Sequence, residues 1–135
     1  MIENRSVPAA SVIPVLAYED AVAASEWLCR AFGFSVRLRI GTHRVQLVLG
    51  DGAMVATDGG AHGSEGHSVL VRVEDVDEHC KRAIAAGARV SSPPADYPYG
   101  ERQYSAVDVG GHHWTFSESI ADVDPMDWGG ELVSE

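Results

Sequence analysis

Apolar and polar residues alternate near the end of the chain, after a glycine-rich turn. Residues 113–117 read His-Trp-Thr-Phe-Ser and follow the turn at 108–111. Because successive side chains of a strand point to opposite faces, this pattern predicts a β-hairpin with Trp114 and Phe116 in the core. The opposite face, which carries Thr115, is then free for a function.

The same order of patterns occurs twice along the chain. One apolar run ends at Asp20 and another at Asp75, and each is followed by helical periodicity and a glycine, Gly33 or Gly87. An Asp at the start and a Gly at the end are typical helix-capping residues. Three further alternating runs follow each helix, at 36–40, 44–49 and 53–57 and then at 89–91, 103–107 and 113–117.

These patterns predict an α+β fold of two βαβββ modules. The modules are expected to form a curved mixed sheet with the helices on its outer face and a ligand cleft on its concave face. The acidic tail either is disordered or docks through Met126 and Trp128. The predicted segments are an N-terminal extension at 1–10, the first module at 11–58, a linker at 59–66, the second module at 67–117 and an acidic C-terminal tail at 118–135.

Composition narrows the class of partner. A chain of 135 residues with 45% hydrophobic residues is expected to form one domain with a substantial core. Ten Lys and Arg against twenty Asp and Glu give a net charge of −10, which repels phosphate backbones and anionic membranes. We therefore expect no nucleic acid and no membrane partner. The absence of a signal-like or membrane-spanning apolar run predicts a cytoplasmic protein.

Several short motifs occur in an order that resembles the vicinal oxygen chelate superfamily. This superfamily includes glyoxalase I, the extradiol dioxygenases, the fosfomycin-resistance transferases and the bleomycin-resistance binding proteins. The resemblance extends from about Ser11 to Ser117 and is closest to the bleomycin-resistance-like branch. It rests on the order and spacing of motifs at 13–16, 19–20, 31–34, 50–52, 73–77, 87–88, 93–94, 99–102 and 108–116.

Enzymes of that superfamily typically bind a divalent metal through four strands. The resemblance places these four positions at Ile13, Gln46, Ser68 and Thr115. Because an apolar side chain and two neutral hydroxyls cannot replace His or carboxylate ligands, we predict no metal, no cofactor and no catalytic residue. His67, next to Ser68, would restore a ligand only if the register were shifted or a bulge occurred.

The predicted ligand cleft combines apolar walls with a few polar groups, as is usual for small-molecule sites. Arg102 and Tyr104 are included as rim residues, although the irregular stretch at 93–100 leaves the parity of their strand open. The predicted cleft residues are Ile13, Val15, Gln46, Val48, Ser68, Leu70, Arg102, Tyr104, His113 and Thr115.

The first functional hypothesis is a metal-free small-molecule-binding protein that sequesters an antibiotic, as the bleomycin-resistance branch does. The resemblance implies a homodimer whose subunits exchange elements to complete two clefts, and aromatic or cationic ligands are the candidates. The alternative is a glyoxalase-like metal-dependent lyase, isomerase or dioxygenase with non-standard ligands. A metal-free catalyst that uses Glu101 or His113 as base also remains open.

Overall fold

The computed structural model describes residues 4–59 and 67–132. Within these residues the order strand, helix and three strands occurs twice. The first module contains β1 (Val15–Tyr18), α1 (Ala21–Phe32), β2 (Ser35–Ile40), β3 (Arg44–Leu49) and β4 (Gly52–Asp58). The second module contains β5 (Val69–Arg72), α2 (Val76–Ala85), β6 (Arg89–Tyr97), β7 (Glu101–Val107) and β8 (His113–Ser119). Apart from Gly59, the predicted linker at 59–66 lies outside the described residues.

Both helices begin at the predicted aspartates. The carboxylate of Asp20 accepts a hydrogen bond from the backbone N–H of Ala23 at 3.0 Å, and Asp75 accepts one from Glu78 at 3.1 Å. Gly33 ends α1 with a φ of 84°, in the left-handed region that glycine adopts at little cost. Local capping chemistry therefore sets these helix boundaries.

The strands form two sheets of four. Sheet A has the order β1-β4-β3-β2 and sheet B the order β5-β8-β7-β6. In each sheet the first strand of the module pairs in parallel with the last, and the other pairings are antiparallel. The α+β class and the two βαβββ modules are thus confirmed. In each sheet one edge of the first strand, β1 or β5, has no strand partner among the described residues.

The helix-facing surfaces of both sheets share one hydrophobic core. Phe32 at the end of α1 joins the modules, because its ring centroid lies 4.8 Å from Phe116 and 5.2 Å from Trp114 in β8. Trp114 and Phe116 are completely buried, as their alternation predicted. The opposite surface of each sheet, here called its open face, therefore points away from this core.

A buried carboxylate also joins the two modules. Asp108, in the turn before β8, accepts hydrogen bonds from Tyr18 Oη at 2.6 Å and from Trp114 Nε1 at 3.0 Å. Its second oxygen accepts the backbone N–H groups of Gly110 and His112, each at 2.9 Å. Burial, together with the neighbouring carboxylate, raises the pKa of Tyr18 far above its ordinary value. All four donors to this carboxylate are therefore satisfied in the interior.

Strand β6 is longer than the sequence predicted, because it continues through Pro93 and Pro94 to Tyr97. It lies at the edge of sheet B, and its register with β7 shifts twice, between Val90 and Ser92 and before Ala95. Proline lacks a backbone N–H and is tolerated at edge strands and bulges. In the described part of the chain, no helix is long and apolar enough to cross a membrane.

Candidate functional site

The open face of sheet A carries a continuous row of side chains. Register places Leu38, Gln46, Val55 and Val15 side by side across its four strands. Val15 is 51% exposed, whereas Gln46 and Val55 are each only 5% exposed. Val48 is partly buried two residues further along β3, on the same face. The structure therefore brings together the predicted cleft residues of β1 and β3. Ile13 lies just before β1 and is also partly buried.

An N-terminal arm, residues 4–10, lies against this row. The side-chain amide of Gln46 donates to the carbonyl of Ser6 at 2.8 Å, and Arg37 Nη2 donates to the carbonyl of Arg5 at 2.8 Å. Arg37 Nη1 also donates to Gln46 Oε1 at 2.6 Å. Both ends of the Gln46 amide are thus engaged by the chain itself.

The open face of sheet B carries a second group of predicted residues. Leu70, Thr115 and Ser105 lie side by side across β5, β8 and β7. The hydroxyls of Ser105 and Thr115 lie 2.9 Å apart and form a hydrogen bond. Leu70 is 66% exposed, and His113 is exposed on the same face as Thr115. Ser68 is exposed immediately before β5.

A chain of polar side chains extends this face beyond Thr115. Glu101 accepts hydrogen bonds from Ser117 Oγ at 2.6 Å and from Ser119 Oγ at 2.5 Å, and Ser119 also accepts one from Arg72 at 2.6 Å. The Ser117 and Ser119 hydroxyls lower the pKa of the Glu101 carboxyl, and the positive charge of Arg72 adds to this effect. The open face of sheet B therefore presents an ionised carboxylate.

The same polar chain ends beside an aromatic cluster. Gln103 donates to Ser117 Oγ at 2.9 Å and accepts from Tyr99 Oη at 3.1 Å. The ring of Tyr99 stacks on Tyr97 with centroids 5.6 Å apart, and Trp128 packs against it at 5.4 Å. The predicted tail thus docks through Trp128, which lies in the short helix Pro125–Trp128, whereas Met126 remains exposed.

The predicted site did not include this polar chain. Its sequence signal was the alternation of Ser117 and Ser119 along β8, with Gln103 and Glu101 directly opposite them on β7. Register makes these cross-strand neighbours, and such pairs interact closely in antiparallel sheets. Arg72, on β5, is opposite Ser117 and faces the same side.

Arg102 and Tyr104 are not on the open face, which corrects their predicted placement. Arg102 faces α2, where it donates to Asp77 at 3.1 Å, and it also donates to Asp96 at 2.9 Å. Tyr104 is buried beneath α2 and its hydroxyl lies 2.5 Å from His79 Nδ1. Burial raises the pKa of Tyr104 and lowers that of His79. The two-residue alternation of β7 places both residues opposite Gln103 and Ser105.

The residues at the four superfamily metal positions do not fit a divalent metal. Gln46 is engaged by Arg37 and the arm, Thr115 by Ser105, and Ile13 has no donor atom. In residues 4–59 and 67–132, no group of three or more His, Cys, Asp or Glu side chains is placed to hold a metal. The metal-free site remains a prediction that elemental analysis can test.

The neighbouring histidines have structural surroundings. His112 is buried, with Nε2 2.6 Å from the carbonyl of Ala17 in β1, and its ring packs against Tyr18. The ring centroid of His67 lies 6.1 Å from that of His112, and the residue is exposed overall. His112 therefore helps to join the modules.

A cavity of about 860 Å³ lies between the two modules. Its walls include Leu16 and Met54 from the helix-facing side of sheet A, the end of α1 at Phe32, and consecutive residues along β5. Of the predicted cleft residues it includes Leu70. The cavity thus adjoins the open face of sheet B at Leu70 and lies beside the edge of β5 that has no strand partner among the described residues.

Comparisons with known proteins agree on the family of this chain. Residues 12–116 match the model of the Glyoxalase/Bleomycin resistance protein/Dioxygenase superfamily. The crystal structure of TioX from Micromonospora sp. ML1 is 37% identical, with a TM-score of 0.72, and covers 83% of this chain and 100% of TioX. A glyoxalase-related enzyme from Fulvimarina pelagi has a TM-score of 0.69 at 15% identity, covering 82% of this chain and 88% of the enzyme, and so shows the fold alone.

Among curated sequences the similarity is shorter. An uncharacterized protein of Mycobacterium bovis is 34% identical over 56 residues, which is 42% of this chain and 37% of that protein. A Mycobacterium tuberculosis protein matches equally over 33% of its length. The match therefore spans about a third of these curated relatives. With the superfamily model covering both modules, the chain belongs to the Glyoxalase/Bleomycin resistance protein/Dioxygenase superfamily.

Proposed function

We propose that this protein binds a small organic molecule reversibly, without a metal, as an antibiotic-sequestering member of its superfamily. The observation that carries this proposal is the state of the four metal positions. Ile13 is apolar, and the other three side chains are neutral. Two of these three, Gln46 and Thr115, are already hydrogen-bonded to neighbouring groups. Such residues bind organic ligands by shape and hydrogen bonding, but they do not provide a Lewis-acid site.

The ligand site is proposed to form between two copies of the chain. Each open face lies outside the shared core, so a single chain offers two separate half-sites. A twofold dimer that places sheet A of one protomer over sheet B of its partner would close two equivalent clefts. The outer edges of β1 and β5, which have no strand partner in residues 4–59 and 67–132, support this arrangement, since exposed strand edges are usually covered or paired. The expected assembly is a homodimer, which light scattering tests directly.

The chemistry of sheet B favours a cationic or aromatic ligand. Glu101 is held as a carboxylate by Ser117 and Ser119, and the net charge of −10 attracts cations. Tyr97 and Tyr99 present a stacked aromatic surface at the end of the same polar chain. The lowered pKa of Glu101 also makes it a weak base, which disfavours the alternative of a catalyst with this residue as general base.

A fluorescence titration tests the proposal, because tryptophans lie in α1 (Trp27), in β8 (Trp114) and in the tail (Trp128). Planar cationic antibiotics and, separately, divalent metals are added to the purified chain. A saturable response to the antibiotics with none to metals supports binding. A response to metals alone would favour the metal-dependent alternative and contradict the proposal.

A substitution in the polar chain sharpens that titration. Glu101→Gln removes the negative charge and should raise the Kd for cationic ligands about tenfold, since a charge-assisted contact contributes roughly 1.5 kcal/mol. Glu131→Gln makes the same change on an exposed residue near the end of the tail and serves as the matched control. Equal affinities of the two variants would remove Glu101 from the site.

A further inference from the structure

Two side-chain donors on the open face of sheet A are bound to two consecutive backbone carbonyls. Arg37 donates to the carbonyl of Arg5, and Gln46 donates to the carbonyl of Ser6, each at 2.8 Å. The acceptors belong to neighbouring peptide units of the N-terminal arm. Arg5 and Ser6 are the central residues of a turn in which the Val7 N–H donates to the Asn4 carbonyl at 3.5 Å, so the donor pair is spaced to match successive amide groups in a turn.

The donors are held in this arrangement by one another. Arg37 Nη1 donates to the side-chain oxygen Oε1 of Gln46 at 2.6 Å. This bond orients the Gln46 NH₂ group towards the arm. Arg37 reaches Gln46 across a shift in the register of β2 and β3, between Val36 and Leu38. Val36, opposite Leu47, lies on the helix-facing side and Leu38, opposite Gln46, lies on the open face, so the bulge falls at Arg37.

The arm contacts the donor pair through main-chain atoms, and its turn is held by the Asn4 side chain, whose Oδ1 accepts the Ser6 N–H at 3.0 Å. Both acceptors are main-chain atoms, and the side chains of Asn4, Arg5, Ser6 and Val7 are exposed. Pro8 is the exception, because it is buried. Another molecule with two successive amide carbonyls would offer the same acceptors to Arg37 and Gln46.

We propose that Arg37 and Gln46 form a binding site for two consecutive amide carbonyls of a peptide-like ligand, which the N-terminal arm occupies when no ligand is bound. This inference rests on the proposed function in placing the ligand on the open face of sheet A. A ligand must displace the arm, so its apparent affinity is reduced by the fraction of chains in which the site is free.

The first test needs no ligand and uses the ¹⁵N-labelled full-length chain. Heteronuclear NOE values of the arm amides report whether the arm is held. In the Arg37→Ala variant the arm should become mobile, because two hydrogen bonds of the donor pair are lost. Arg39→Ala removes an exposed arginine of the same strand that makes neither bond, and it should leave the arm unchanged. An arm that stays equally ordered in Arg37→Ala overturns the proposal.

The second test adds a capped synthetic peptide with the sequence of residues 1–10 to the full-length chain. A short tether gives the arm an effective concentration on the order of millimolar. Peptide at about ten times that concentration should therefore release the arm, whose amide signals then move to those of a mobile chain. The same peptide with the carbonyls of residues 5 and 6 replaced by thiocarbonyls should need about tenfold more peptide to release the arm, since sulfur accepts hydrogen bonds poorly.

The outcomes separate this inference from the proposed function. No release of the arm by the peptide, or equal release by the thiocarbonyl peptide, overturns the carbonyl site while antibiotic binding on sheet B can still be observed. Conversely, arm release without any antibiotic response supports the carbonyl site and counts against a cationic or aromatic ligand.

Discussion

The buried carboxylate of Asp108 provides a quantitative test of how the two modules are joined. Asp108→Asn keeps the shape of the side chain but replaces one acceptor oxygen with an NH₂ group. With the amide nitrogen on the side of Tyr18 and Trp114, the Tyr18 hydroxyl can rotate and accept a hydrogen bond. The Trp114 Nε1–H then faces another donor in a buried position.

The expected loss follows from these contacts. An unsatisfied buried donor costs about 1–3 kcal/mol, and a hydrogen bond to a charged group contributes about 1.5–3 kcal/mol. We expect Asp108→Asn to lower the free energy of unfolding by about 3 kcal/mol. For a chain of this length, that loss corresponds to a fall in Tm of about 10 °C.

Urea and thermal unfolding, followed by circular dichroism, measure this change. Asp96→Asn is the matched control, because Asp96 is exposed and pairs with Arg102 at the surface, so its loss should be under about 1 kcal/mol. If Asp108→Asn were no more destabilising than Asp96→Asn, the account of Asp108 as the link between the modules would be refuted.

Two further predictions concern the core. Gly110→Ala should lower the free energy of unfolding by more than about 2 kcal/mol, because an added Cβ would lie 2.5 Å from the Tyr18 ring. Gly50→Ala is the control: its Cβ would meet nothing within 4 Å, and its positive φ should cost only about 1 kcal/mol. Equal losses of the two variants in urea unfolding would contradict this prediction. Burial lowers the pKa of His79, so the folded state should lose stability as pH falls below about 6.5, by at most about 1.4 kcal/mol per pH unit. His79→Gln should lack this part of the pH dependence, and an unchanged profile would count against a buried neutral imidazole.

The elements of the fold could be predicted because their signals are local. Asp20 and Asp75 cap the helices through their own side chains, and the Trp114 and Phe116 alternation sets the core face of β8. The same parity correctly placed Thr115 on the open face. Local capping and alternation need no knowledge of distant contacts.

The face of β7 could not be derived in the same way. Its residues alternate, but neither face is clearly apolar in sequence, and the prolines of β6 obscured where the preceding strand ended. The pairing of Tyr104 with Phe116 decides the question, since two aromatic residues of adjacent strands enter the same core. Register is a long-range property and therefore required the structure.

The contact of the N-terminal arm with sheet A had no sequence signal. Its acceptors are backbone carbonyls, which every residue carries, and the donor Arg37 reaches them through an irregularity of β2. Residues 4–10 also precede the part of the chain that matches the superfamily. Patterns of residue type along the sequence therefore do not predict interactions of this kind.

Native mass spectrometry tests the central claim most directly, because one spectrum reports the number of chains, bound metal and bound ligand. The account predicts a dimer whose mass equals two chains without metal. After addition of a planar cationic antibiotic, this dimer should gain up to two ligand molecules. A species that holds one divalent metal per chain, and that binds no antibiotic, would contradict the account.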